Sequence, residues 1–182
     1  MARSVYQLKA TLRHSRPPIW RLFHIPAAFS LLQLHRVLQT IMGWKDRQPH
    51  QFIVQGKFYG IPGSDNMYEV MDESKAKLFD AIGRNNIHLF RYQYNPNDNW
   101  ELNIQVEKLL KAGEGQQRYP VCLAGSGAAP QEDAGESHFY LKMLLALQNP
   151  HDPSNQGFLN SKTTATSKKF DIRTINRRLA GW

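Results

Sequence analysis

The sequence predicts an α+β fold: an N-terminal β-β-α-β unit of β-grasp type, a second β-hairpin, and helices in the C-terminal part. Three observations carry that prediction. Val5–Arg13 and Trp100–Val106 alternate apolar and polar residues with the period of two that a half-buried strand needs. Leu31, Leu34, Leu38 and Ile41 recur at helical spacing between Ser30, a good N-cap, and Gly43, a good C-terminal stop. The 182 residues contain no internal repeat, heptad run or clear linker, so a single domain over 1–182 is expected.

Taken in order, Tyr6, Leu8, Ala10 and Leu12 share one face of the first strand, and Ser15-Arg16-Pro17-Pro18 breaks it. Ile19–Ile25, ended by Pro26, can pair back as a hairpin. On the helix after Ser30, His35, Arg36 and Gln39 fall on the more polar side. Gln51–Tyr59 reads as a third strand closed by Gly60 and Pro62. Ile61–Asn86 is polar and irregular, with a short helix around Ala76–Ile82. His88–Tyr94 is a strand, and Asn95-Pro96-Asn97-Asp98-Asn99, dense in turn formers, joins it to Trp100–Val106 as the second hairpin. Tyr119–Glu136 reads as a long Gly/Ala/Pro loop. Ser137 caps a helix to Gln148, stopped by Asn149-Pro150. Asp171 caps a last helix with Ile172, Ile175 and Leu179 as its apolar stripe.

The hydrophobic fraction of 41% fits a globular protein, and no apolar run approaches the ~20 residues that cross a bilayer. No membrane partner is therefore expected. No apolar segment with a cleavage site follows Met1, and one cysteine, Cys122, allows no internal disulfide, so the cytoplasm is the expected compartment. Net charge is +8. From Met1 to Lys45 there are seven Lys/Arg and no acid, and from Lys162 onward six against Asp171 alone. If the fold joins these segments they form a basic face, which attracts phosphate backbones. Arg13, Arg16 and Arg21 flank the first turn around Trp20; Lys168, Lys169, Arg173, Arg177 and Arg178 cluster near Trp182. Cations interleaved with aromatics suit phosphate contact and base stacking, while ordinary surface charge is the plain alternative.

Catalytic chemistry is less visible, and no catalytic residue, cofactor or metal site is predicted. Gly125-Ser126-Gly127 lacks the ending of a phosphate-binding loop, and the seven histidines show no zinc spacing. Cys122 needs a neighbouring base to act as a nucleophile, and lone cysteines are usually small buried hydrophobes. Paired carboxylates, here Asp98, Glu132 and Asp133, can hold a cation, though each equally suits the organisation of a turn or loop.

Tyr6-Gln7-Leu8-Lys9, Arg16-Pro17-Pro18-Ile19-Trp20-Arg21, Leu34-His35-Arg36-Val37, Met42-Gly43-Trp44 and His50-Gln51-Phe52 form an opening block that resembles the plasmid ORF-3-like family, also known as the insertion-element passenger TnpR family. The likeness continues through Trp100–Glu107, Tyr119-Pro120-Val121-Cys122-Leu123-Ala124-Gly125, Pro130-Gln131-Glu132-Asp133 and Phe170-Asp171. His50, Asp98, Trp100, Glu132 and Asp133 are the polar and aromatic positions it shares. The resemblance implies an α+β fold and an association with plasmids and mobile elements, and carries no activity with it. Two motifs depart. The family's D-F-G-D-x-W-x-H turn keeps Asp98 and Trp100 but has Asn95 and Leu102 for its first acid and its histidine. Its P-P-E-D-C-G-G loop has lost the cysteine to Ala134. No serine stands where a serine recombinase needs its nucleophile. The expected function is a non-enzymatic accessory protein that binds nucleic acid or a nucleoprotein partner through a basic face. The alternatives are a β-grasp-type protein-interaction adaptor and a degenerate metal-dependent hydrolase.

Overall fold

The computed structural model describes residues 4–63, 68–84, 86–111, 118–132, 136–159 and 169–182. Strand β1 (Ser4–Leu12) buries Tyr6, Leu8, Ala10 and Leu12 and turns Gln7, Lys9 and Thr11 outward, as the alternation requires. It pairs antiparallel with β2 (Trp20–Pro26), with Leu8 opposite Phe23. Ser15 stitches the turn: its hydroxyl donates to the Leu12 carbonyl and accepts from the Ile19 N–H.

Helix α1 (Leu31–Met42) starts in a capping box, in which Ser30 and Gln33 each accept from the other's backbone N–H, and it ends at Gly43 with φ +77°. Both ends were signed in the sequence. The third strand is shorter than the predicted Gln51–Tyr59. Gln55 and Gly56, at φ +48° and +76°, fold the chain back, giving β3 (His50–Val54) and β4 (Lys57–Gly60). Positive φ at both central residues is what a tight two-residue hairpin demands. A short strand β5 (Val70–Asp72) then pairs parallel with β4, and a single π-helical turn occupies Phe79–Gly83.

The second hairpin forms as predicted, from β6 (Leu89–Tyr94) and β7 (Trp100–Lys111). Strand β7 runs five residues beyond the predicted Val106 because β1 pairs along it from Leu102 to Lys111. The segment Tyr119–Glu136 is not a loop throughout: Val121–Ser126 is strand β8, paired with β2 at the sheet edge. Its small residues and its β-bulge hide the alternation that identifies a strand. Helices α2 (Ser137–Gln148), α3 (Gln156–Leu159) and α4 (Ile172–Leu179) follow. Asp171 caps α4 through the Arg173 and Thr174 N–H groups. Ser137 is the first residue of α2 rather than its cap, and its N–H donates to the Asp98 carbonyl.

The sheet runs β5-β4-β3-β6-β7-β1-β2-β8. The N-terminal order strand-strand-helix-strand is present, but β3 joins the sheet through β6 rather than against the first hairpin. One continuous core fills the space between the sheet and the helices, from Leu8 and Phe23 through Leu34 and Leu38 to Phe52, Ile175 and Leu179. The terminal segments meet: the Phe29 ring stacks on Trp182 at 6.1 Å. Among the described residues no helix is long and apolar enough to cross a membrane.

Candidate functional site

On α1, His35 and Gln39 stand one turn apart and both face the sheet. The amphipathic pattern put them on the polar side; in the fold they are 1% and 5% exposed. Their hydrogen bonds can be assigned from a single certain donor. The Asp46 N–H donates to Gln39 Oε1 at 3.0 Å, so the Gln39 amide turns its NH₂ toward Tyr92 Oη, 2.9 Å away. The Tyr92 hydroxyl, having accepted there, donates to His35 Nδ1 at 2.7 Å. His35 then carries its proton on Nε2 and donates to Asp46 Oδ1 at 2.8 Å. The circuit closes on the residue where it began. It pins the loop after α1, where Asp46 sits at φ +57°, onto the middle of the sheet. Burial, and next the charge of His50, push the His35 imidazole down to about 4 against the pull of Asp46. It is neutral at pH 7, as the circuit requires.

His50, first residue of β3, lies face to face with His35 at 3.4 Å between ring centroids and 6° between planes. Its Nε2 reaches both oxygens of Glu73, at 2.9 and 3.0 Å, and Glu73 is 2% exposed. Next along β6, Tyr94 donates to Glu132, and the Arg47 N–H approaches both Tyr94 Oη and Glu132 Oε1. Burial, then that bond to Glu132, raise the Tyr94 phenol well above its ordinary range. Trp44 stacks on Tyr94 at 4.8 Å and donates to the Pro130 carbonyl. A polar layer thus runs under α1 from Glu73 to Glu132.

Of the shared family positions, His50 and Glu132 lie in this layer. Asp98 stays in its turn, accepting from Asn95 Nδ2 at 2.7 Å, and Trp100 packs edge-on against Tyr140 in the core. Asp133 lies outside the described residues. Cys122 is buried, and burial lifts its thiol to about 11, which fits a packing role. The histidine spacing predicted no metal site, yet among the described residues the fold brings His35, Asp46 and His50 together, each offering a ligand atom within 4.8 Å of the others.

The basic residues divide. Arg21 is 2% exposed: its guanidinium donates to the carbonyls of Trp20, Ile41, Ser126 and Gly127 and lies 4.5 Å over the Phe170 ring. Burial lowers it to about 10. Four of its five N–H donors are taken by carbonyls and the group is buried, which corrects its expected place on an exposed basic face. Arg13 pairs with Glu101. Arg16, Lys169, Arg173, Arg177 and Arg178 are exposed, and Lys168 lies outside the described residues. Lys45, Lys169 and Arg178, from three separate segments, border a cleft of about 750 Å³ whose lining includes Met42, Trp44, Phe170 and Ile175. Glu132 and Asp171 also line it.

With the geometry in place, comparison with known proteins gives the family. The profile described as plasmid pRiA4b ORF-3-like protein matches residues 4–178. The chain belongs to that family. It is 32% identical over 178 residues to the uncharacterized protein y4hQ of Sinorhizobium fredii (strain NBRC 101917 / NGR234), covering 97% of this chain and 88% of that one. The crystal structure of the protein of unknown function MM3350 from Methanosarcina mazei Go1 is similar at a TM-score of 0.76 and 30% identity, covering 96% of this chain and 97% of that one. In this plasmid ORF-3-like protein, sequence reasoning missed Asp46, Glu73, Tyr92 and Lys45 as site residues. The available signal was the helical pair His35 and Gln39, two hydrogen-bonding side chains one turn apart next to the apolar stripe of α1.

Proposed function

We propose that this plasmid ORF-3-like protein is a binding protein of plasmids and mobile elements, acting in the cytoplasm, that holds single-stranded nucleic acid in the cleft between the end of α1 and α4. The observation that carries this reading is the convergence of Lys45, Lys169 and Arg178 on one cleft. Cations at the rim attract phosphates, and aromatic or apolar groups inside favour unstacked bases over a duplex. Arg173 and Arg177, one turn apart on α4, are exposed on the side away from the buried Ile175 and Leu179 and do not themselves line the cleft. They supply a weaker, long-range field.

The test is fluorescence anisotropy with labelled 12-nucleotide DNA and RNA, single-stranded and duplex, over a salt series. Binding should prefer the single strand and fall steeply with salt. Replacing Lys45, Lys169 and Arg178 together by Gln should flatten the slope of log K against log salt by about 2, at roughly 0.7 per lost contact. Replacing Arg173 and Arg177 should change it less. No binding at low salt, or an unchanged slope in the triple variant, would remove this reading and leave a protein partner as the occupant to seek.

A further inference from the structure

We propose that His35, His50 and Asp46 form a binding site for a divalent transition-metal ion of the zinc class. A ring nitrogen of each histidine and a carboxylate oxygen of Asp46 lie within 4.8 Å of one another. Ligands of a tetrahedral zinc ion stand about 3.3 Å apart, and the His35 Nε2 to Asp46 Oδ1 separation is already 2.8 Å. Binding would widen that pair slightly, draw the more distant donors together and tilt the two stacked rings so that their nitrogen lone pairs converge.

The surroundings are those a metal-ligating histidine needs. Such a residue is held at its far nitrogen by a carboxylate or other partner, which orients the ring and leaves the near nitrogen for the ion. His50 is held at Nε2 by the buried carboxylate of Glu73, which leaves Nδ1. His35 is held at Nδ1 by Tyr92, which leaves Nε2. Two imidazoles and a carboxylate suit zinc and its first-row neighbours rather than magnesium or calcium. Asp46 and Glu73 also bring two negative charges to a dication. The donors stand on α1, on β3 and on the loop between them. The Asp46 side chain is half exposed, so the ion has a way in and room to keep water.

Binding rearranges one hydrogen-bond circuit. His35 must enter as the Nδ1–H tautomer, losing the Nε2 proton to solvent and taking one at Nδ1, and Tyr92 turns from donor to acceptor. One hydroxyl proton left without a partner is a small cost beside three metal–ligand bonds.

The experiment is titration of the whole chain with Zn²⁺ against a chromophoric chelator, repeated with Co²⁺ while its visible absorption is recorded. One ion per chain is expected. Asp46→Asn should weaken binding at least tenfold, and since Asn keeps an acceptor for His35 the variant should fold as the parent does. Glu73→Gln, which alters only the group holding His50, should weaken binding 10- to 100-fold, and His50→Gln should abolish it. Nitrogen NMR of His35 should show the proton moving from Nε2 to Nδ1 on Zn²⁺ addition. If no ion binds, or if Asp46→Asn binds as tightly as the parent, the site is wrong; equal binding points to adventitious capture at an exposed pair such as His138 and Glu136.

Discussion

Arg21 and Arg178 face the same cleft, one from β2 and one from α4, in opposite physical states. Arg21 is buried to 2%, with four carbonyls around its guanidinium and an aromatic ring beneath it. Arg178 is exposed, and among the described residues it has no ion-pair partner. Removing the first strands carbonyls in a low-dielectric interior; removing the second only changes a field in water. A positive charge in the sequence therefore counts toward binding only after its burial is known. The same holds for histidine: His35 is fully engaged inside, whereas His138 pairs with Glu136 in solvent.

The sharpest way to break this contrast is to exchange the two arginines' fates. Arg21→Met keeps the volume and removes every donor. It should cost about 4 kcal/mol, a fall in melting temperature on the order of 10 °C. Arg178→Met should move stability by no more than about 0.5 kcal/mol. Equal effects in thermal melts would mean that Arg21 is not the brace its hydrogen bonds make it.

The next largest effect extends the contrast to histidine. In the metal-free chain, with chelator present, His35 titrates near 6.5 unfolded and near 4 folded. Between those values the unfolded chain binds the extra proton. The stabilisation is therefore complete above pH 6.5 and is lost as pH falls toward 4, on the order of 3 kcal/mol in all. Urea melts across that range should show a shallower loss in His35→Gln than in the parent. Parallel slopes would place the acid sensitivity elsewhere.

The smallest effect probes the support beneath Arg21. A Cβ on Gly125 would come within 2.7 Å of the Phe170 ring and 2.9 Å of Arg21 Cδ. Gly125→Ala should cost about 2 kcal/mol by pushing the ring off the guanidinium. In the background of Phe170→Ala, which removes the ring, that cost should shrink; a cost that stays the same would mean the strain is in the strand itself.

Much of the fold could be read from the chain. Strand β1, the β6–β7 hairpin, and helices α1 and α4 with their caps depend on neighbours within a few residues, and local patterning reports those interactions. Strand β8 was read as loop because its small residues and its bulge break the alternation that marks a strand. The Gln55-Gly56 turn was passed over because its signal is a single glycine inside a strand-like run. The polar layer was the least legible part. His35, Asp46, His50, Glu73 and Tyr92 come from five separate stretches of chain, and each one alone looks like an ordinary surface or core residue.

By itself the sequence determined the α+β class, the amphipathic faces and the excess of positive charge, because these follow from composition and local periodicity. Tertiary structure alone decided which cations stay in water, which arginine becomes a brace, and which two histidines stack. Burial and pairing are properties of residues brought together from far along the chain, and they set both the protonation of His35 and the availability of Arg178.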